Sequence, residues 1–462
     1  MRLAGRMRMK RPPRLRDPWT SPERTRGLLL VAVVIAIVLV GAAALAWRPE
    51  LAAVDPPARD SFEPALIERG AVLASAGNCI GCHLAPNGAA FAGGLPLETP
   101  FGKLYSTNIT PDPETGIGRW SQQAFDRSMR EGVDRSGSHL YPAFPYTHYT
   151  HVRSEDLRAL YAYLMTRTPV HAPARRNGLA FPLGFRPLLA GWKMLFFPAE
   201  PLRTEAGQSA QWNRGAYLAE GLTHCGACHS PRNAFGAERR DEHFNGGDAE
   251  GWHSPALNAA SPSPVPWSVE ELTAYLRTGL VENHAIAGGP MQGVVRSLRA
   301  LPEDDVRAIA TYIHSGMGGA TSKREARSNA SVERAKRGPL ALASQPRAAS
   351  AADDAKVLRL GESVYAGACA GCHDLGRAPS SGSALQLPLA VAVYEPTPAS
   401  LIRIVLHGIT PPDGERGRWM PSFAGALTEE QTTALVQYLR RAAADAPPWR
   451  DVAGEVKKAR PS

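Results

Sequence analysis

Three strings of the form Cys-x-x-Cys-His occur in the chain: Cys79-Ile-Gly-Cys82-His83, Cys225-Gly-Ala-Cys228-His229 and Cys369-Ala-Gly-Cys372-His373. They use all six cysteines of the 462 residues. In this arrangement two thiols can add across the vinyl groups of a haem, while the adjacent imidazole reaches the iron from the proximal side. A disulfide or a zinc site is the competing chemistry. Zinc, however, needs four ligands clustered in space, and successive pairs stand 146 residues (79 to 225) and 144 residues (225 to 369) apart. The spacing therefore points to three covalent c-type haems. Cys79, Cys82, Cys225, Cys228, Cys369 and Cys372 are the attachment points, and His83, His229 and His373 the proximal iron ligands.

A sixth ligand is expected roughly midway between each motif and the end of its repeat, and methionine is the usual choice. Met291 lies 62 residues after His229, and Met420 lies 47 after His373. Each adjoins a proline, and each is the only methionine between its motif and the following helix. His/Met ligation raises the potential and suits electron transfer. The first repeat breaks the pattern: 61 residues past His83 stands Phe144, which cannot bind iron. Among nearby His148, His139, His151 and Met129, the favoured candidate is His148, four residues beyond Phe144. A bis-histidine first haem would have a lower potential than its neighbours. A five-coordinate haem beside an ordinary histidine is the alternative.

The elements that must position these groups also repeat. A helical stretch with a glycine near its start precedes each motif, at Gly70, Gly215 and Gly361. An amphipathic helix with acidic residues in its first turn closes each repeat, at 154–164, 302–313 and 428–439. Tyr163, Tyr312 and Tyr438 occupy matching positions in these closing helices. A glycine on one helix lets an aromatic of another pack closely, so first and last helices are expected to cross.

Leu28 to Trp47 is twenty residues without a charge, the length of a bilayer-spanning helix. Nine basic residues against Asp17 and Glu23 precede it, giving that tail +7 of the chain's formal +9. The remaining +2 implies no basic face for nucleic acid. The positive-inside bias puts the N-terminus in the cytoplasm and the rest in the periplasm. Ala44-Leu45-Ala46 also has the form of a signal-peptidase site, but the apolar run and preceding tail are long for a signal peptide, which favours a retained anchor.

The expected organisation is a basic cytoplasmic tail (1–27), an anchor (28–47), a haem domain (48–170), a connecting segment (171–206), a second haem domain (207–317), a flexible linker (318–352), a third haem domain (353–444) and a tail (445–462). The linker assignment rests on the absence of aromatic residues and an abundance of Ala, Ser, Arg and Lys, and implies a loosely tethered third domain. Residues 179–198 are apolar but broken by prolines, Arg186 and Lys193, too interrupted for a second span. Packing between the first two domains is the favoured role, with a partner or bilayer docking surface the alternative.

The repeats resemble the cytochrome c fold, which implies an all-α protein of three tandem cytochrome c domains after one transmembrane helix. The exported portion resembles the trihaem cytochrome c subunits of membrane-bound periplasmic dehydrogenases that oxidise alcohols, gluconate and aldehydes. The stretches Thr107 to Trp120, Leu140 to Thr147 and His224 to Asn233 carry that resemblance. Phenylalanine at 144 with histidine at 148 looks more like the branch serving molybdenum hydroxylases of aldehydes or N-heteroaromatics such as nicotinate and isoquinoline. The resemblance implies a catalytic partner, and quinone, a soluble cytochrome or a terminal oxidase as acceptor.

Outside the haem motifs the chain has no nucleotide-binding glycine loop, no nucleophile motif and no paired carboxylates distinct from helix starts. The expectation is an electron conduit whose chemistry belongs to the cofactor, not an enzyme. Two alternatives stand beside it: a haem enzyme acting at an open first iron, and a subunit of a haem-copper oxidase.

Overall fold

The computed structural model describes residues 22–319, 321–337, 340–342, 351–374, 384–411 and 420–460. Most of the basic N-terminal tail and part of the 318–352 segment lie outside the described residues. Helix α1 (Pro22–Ala46) contains the one described stretch long and apolar enough to cross a membrane.

The first repeat comprises α2 (Pro64–Ala76), α3 (Cys79–His83), strands β1 (Pro96–Thr99) and β2 (Gly102–Tyr105), α4 (Gln122–Glu131), α5 (Tyr146–Tyr149) and α6 (Ser154–Met165). Strand β3 (Gly178–Leu179) adds antiparallel to β2, and α7 (Leu188–Phe196) follows. The second repeat holds α8 (Ala210–Tyr217), α9 (Gly226–His229), hairpin β4 (Gly247–Ala249) and β5 (Trp252–Ser254), α10 (Val269–Thr278), hairpin β6 (Leu280–Val281) and β7 (Ala285–Ile286), α11 (Pro290–Leu298) and α12 (Glu303–Gly316). Then come α13 (Ser322–Lys336), α14 (Ala351–Ala368), α15 (Ala370–His373), α16 (Ala399–His407), α17 (Glu429–Ala444) and α18 (Val452–Ala459). Helices dominate as expected, with small antiparallel sheets added.

The expected crossing recurs with the same atoms in every repeat. A Cβ on Gly70 would overlap the carbonyl of Ala159 and lie 2.6 Å from Tyr163 Cβ. On Gly215 it would overlap Ala308 O and lie 2.9 Å from Tyr312 Cβ, and on Gly361 it would overlap Ala434 O and lie 2.6 Å from Tyr438 Cβ. Only a residue without a side chain allows this backbone approach. Beside the crossing, Arg69 Nε donates to Asp156 at 2.8 Å and Arg214 Nε to Asp305 at 2.7 Å. The equivalent positions in the third repeat are Leu360 and Gln431, and Gln431 instead forms a capping box with Thr428. A helix end is stabilised there in place of an ion pair.

The first two repeats share one hydrophobic core that runs from Leu73 and Leu160 through Leu218 and Leu222 to Ile309. Asp156 ties them further, because its second oxygen accepts from Tyr217 Oη at 2.6 Å. The third repeat has its own core. It docks on the second through Val391 N to His284 O (2.8 Å) and Ser400 Oγ to His253 O (2.9 Å).

The structure corrects one expectation. Residues 322–336 of the supposed flexible linker form α13, whose Ala335 is buried and whose Ser331 meets Tyr394 Oη at 3.0 Å. The third repeat is thus held by direct contacts, and the linker's small-residue composition reads as a helix face because alanine has the highest helix propensity. The tail after 444, on which the sequence says little, is structured: Trp449, Val452, Val456 and Ala459 are buried in the third core, at helical spacing that Pro447, Pro448 and the charges obscure.

Replacing Gly215 with alanine is expected to cost about 1–3 kcal/mol through displacement of α12. Gly367→Ala in α14, where a Cβ meets nothing within 4 Å, should stabilise by up to about 1 kcal/mol. Urea unfolding followed by circular dichroism separates the two. A second expectation concerns Glu395, which is buried with one carboxyl oxygen unpartnered. Burial pushes its pKa up to about 8, opposed by a Ser400 hydrogen bond and reinforced by Asp248. A raised acid pKa gives stability that is full below the ordinary value of 4.5 and is lost as pH climbs to about 8. Glu395→Gln should flatten that window and gain on the order of 3 kcal/mol at pH 9, read from unfolding midpoints at pH 5 to 9.

Candidate functional site

Each Cys-x-x-Cys-His string winds into a short helix: α3, α9 and α15. In the first, Asn78 in the left-handed region (φ 48°) turns the chain from α2 into the motif. All six cysteines are free rather than bridged. Burial pushes the thiols up, Cys79 to about 12 and Cys225 and Cys369 to about 11.

The three histidines share one arrangement. Nδ1–H of His83 donates to Thr107 O at 2.6 Å, that of His229 to Pro255 O at 2.7 Å, and that of His373 to Leu385 O at 3.1 Å. A carbonyl can only accept, so the proton sits on Nδ1 and the Nε2 lone pair is free. Burial lowers all three pKa values, which keeps the rings neutral. A neutral imidazole oriented through its other nitrogen is what a metal ligand requires. Among the described residues no three His, Cys, Asp or Glu side chains cluster as a metal site. Paired thiols beside such a histidine fit covalent haem.

The Thr107 to Trp120 stretch presents the first of these carbonyls. Asn108 Oδ1 accepts from Thr110 N at 2.9 Å, and its Nδ2 donates to Val170 O at 2.7 Å. Asp112 Oδ1 accepts from Thr115 N at 2.7 Å, and Tyr161 Oη of α6 donates to Trp120 O at 2.8 Å. The loop is thereby pinned to the closing helix, and Thr107 O is held against His83.

The candidate sixth ligands sit ahead of the closing helices α12 and α17. Met291 is the second residue of α11, just after Gly288 and Gly289, over which the Trp252 indole lies; a Cβ on Gly288 would come 3.0 Å from that ring. Met420 is clamped to Ile409 by two backbone hydrogen bonds of 2.8 and 2.9 Å. Both side chains are half-buried. In the first repeat, Phe144 packs on Tyr149 at 5.3 Å between ring centres. Buried His148 spends both nitrogens: Nδ1 donates to Glu220 O at 2.8 Å, and Nε2 faces the Glu238 carboxylate at 2.9 Å. Burial alone would depress its pKa, but Glu238 raises it. Iron ligation by His148 therefore requires Nε2 to leave Glu238. His139 is engaged elsewhere, between Lys193 and Ala46 O, and Met129 is buried on α4. His151 is half-buried with Nδ1 unpartnered.

His148 also shows how closely the first repeat adjoins the second motif, because a Cβ on Gly226 would lie 3.1 Å from its ring. Burial raises the Cys82 thiol, and the nearby charges of Glu250, in the β4–β5 turn, and of Cys228 raise it further. Ser297 of α11 accepts from Ser75 Oγ at 3.0 Å and donates to Asn78 Oδ1 at 3.0 Å. The helix that begins next to Met291 is thereby locked to the entrance of the first motif. Sequence spacing carries no sign of this junction.

A family model described as "Cytochrome c" matches residues 67–168, and one described as "Cytochrome C oxidase, cbb3-type, subunit III" matches 356–439. The chain is similar to a nicotinate dehydrogenase subunit of Pseudomonas putida, 47% identical over 422 residues, covering 91% of this chain and 34% of that protein. It thus spans about a third of that relative's length. It is 37% identical over 404 residues to the gluconate 2-dehydrogenase cytochrome c subunit of Pantoea cypripedii, covering 83% of this chain and 87% of that one. It is 33% identical over 442 residues to the cytochrome c subunit of the quinone alcohol dehydrogenase of Gluconacetobacter polyoxogenes, covering 91% and 88%.

Next to the second motif, Glu220 accepts from His243 Nε2 at 2.9 Å and from Tyr312 Oη at 2.6 Å. Burial would raise this carboxylate, but the His243 and Tyr312 hydrogen bonds and the charges of His243 and His148 hold it below the usual range. A depressed acid pKa gives stability that is present above about pH 4.5 and lost as pH falls through the folded value. Glu220→Gln should cost about 1–3 kcal/mol at pH 7 and remove that acid limb, measured by urea unfolding at pH 3.5 to 7.

Proposed function

Since the chain belongs to the family of cytochrome c subunits of quinone alcohol, gluconate and fructose dehydrogenases, we propose that it is a trihaem electron conduit of three tandem cytochrome c domains. It is the electron-transfer subunit of a dehydrogenase complex and not the catalytic one. The observation that carries the count is the threefold recurrence of a Nδ1–carbonyl bond beside a free thiol pair. Haem, when bound, supplies the one-electron iron couple. This chain's residues attach it, keep the proximal imidazoles neutral and aimed, and space the sites.

Met291 and Met420 are assigned as sixth ligands of the second and third haems, giving raised potentials. For the first haem the assignment is His148, released from Glu238. The donor is a catalytic partner that oxidises aldehydes or N-heteroaromatics with molybdenum, a reading supported by the 47% identity to the nicotinate dehydrogenase relative. The acceptor is a quinone, a soluble cytochrome or a terminal oxidase. Helix α1 is assigned as a retained membrane anchor, with the haem domains in the periplasm.

Pyridine haemochrome quantification should give three haems per chain, falling to two when both cysteines of one motif are replaced by serine; an unchanged count for any pair would remove that site. In low-temperature paramagnetic resonance of the oxidised protein, His148→Ala should convert one low-spin signal to high-spin. A spectrum with a high-spin signal already present and unaffected by that change would place His148 with Glu238 and leave the first iron open to small ligands. Met291→Lys should lower the potential of one haem only, read by redox titration.

A further inference from the structure

Helix α7 is built inside out for a helix facing water. Its exposed arc carries Leu188, Gly191, Met194 and Leu195, with Met194 and Leu195 71% and 70% exposed. Its only charged residue, Lys193, is on the buried side. Just before it in the chain, Phe181 is 97% and Phe185 62% exposed, and Phe235 of the second repeat, 66% exposed, stacks on Phe196 at 5.7 Å. Soluble surfaces rarely leave so many large apolar side chains contiguous.

The inward-facing Lys193 fixes the location of this surface. Its Nζ donates to Glu131 O at 2.6 Å and Gly132 O at 2.7 Å, and to His139 Nδ1 at 3.1 Å. His139 Nε2–H in turn donates to Ala46 O at 2.9 Å, the last residue of α1. Helix α7 packs against α1 directly, and a Cβ on Gly137 would overlap Arg48 O, just beyond it. The apolar arc is therefore continuous with the outer end of the apolar helix. Trp47 is exposed at this junction, and Trp192 lies half-buried in α7 with Nε1 on Phe235 O at 3.0 Å. Tryptophans at this level and arginines such as Arg48 and Arg186 suit the headgroup zone, where aromatic rings concentrate and anionic lipids attract cations.

We propose that the outer face of α7, with Phe181, Phe185 and Phe235, is a membrane-interface surface that lies in the outer leaflet beside the emerging α1. The occupant is the lipid bilayer. This rests on the reading of α1 as a retained anchor. Its consequence is orientational: one helix crossing a bilayer leaves the attached domains free to swivel, whereas a second contact on the same rigid unit holds the first two repeats at a defined height and tilt. An apolar helix face in this setting sits about 5–10 Å into the headgroup and acyl boundary.

The test uses the full-length holoprotein in phosphatidylethanolamine and phosphatidylglycerol vesicles containing a phospholipid with a diazirine on either a shallow or a terminal acyl carbon. After irradiation, labelled peptides are identified by mass spectrometry. The shallow probe should label 181–196 and both probes should label α1, with Lys457 of α18 as the unlabelled control. In the Leu188→Asp/Leu195→Asp variant the label on 181–196 should be lost while that on α1 remains. Labelling of α1 without 181–196 overturns the proposal and leaves the anchor standing, assigning the surface to a protein partner. Labelling of 181–196 without α1 overturns the anchor reading and the placement beside it while keeping the lipid contact, and labelling of neither overturns both.

Discussion

Every repeat depends on two helices meeting backbone to backbone at a residue that has no side chain. At Gly70, Gly215 and Gly361 the first helix touches the carbonyl of the closing helix's sixth residue, and the Cβ of the tyrosine one turn further on. The Cys-x-x-Cys-His helix follows the first helix after one to eight residues, so the crossing sets where the thiols and imidazole emerge. The closing helix in turn anchors the loop that carries the acceptor carbonyl, as Tyr161 Oη does through Trp120 O. A methyl group at the crossing would therefore be felt at the motif, although it touches none of the motif's residues.

The way the repeats join determines how rigid the conduit is. The first two share one core, and Asp156 joins three helices by accepting from Arg69 and from Tyr217 of the neighbouring repeat. Buried carboxylates carry such a load only when fully hydrogen-bonded, as this one is. The third repeat keeps a separate core and meets the second along a narrower seam of backbone bonds at His284 and His253. The first two repeats thus form one packed unit on which the third docks.

Much of this was legible in the chain because the relevant signals are local. Cys-x-x-Cys-His is a contiguous string, the crossing glycines and tyrosines recur beside it in every repeat, and acidic first turns mark helix starts that the structure places within a residue or two at 154, 303 and 429. The linker misled, and the tail stayed unread, because composition was taken without periodicity: α13 and α18 each bury only a thin stripe, and few apolar residues suffice for that.

What the sequence by itself determined, then, is the Cys-x-x-Cys-His motif, the repeat and the crossing, all set by neighbours a few residues apart or by the repeat's own regularity. What only the tertiary structure decided is which groups from distant segments meet: Thr107 O with His83, Ser297 with Asn78, Glu238 with His148, and Lys193 with the end of α1 through His139. These pairings have no sequence period. They arise because burial forces each polar group to find a partner in whichever element happens to pack against it.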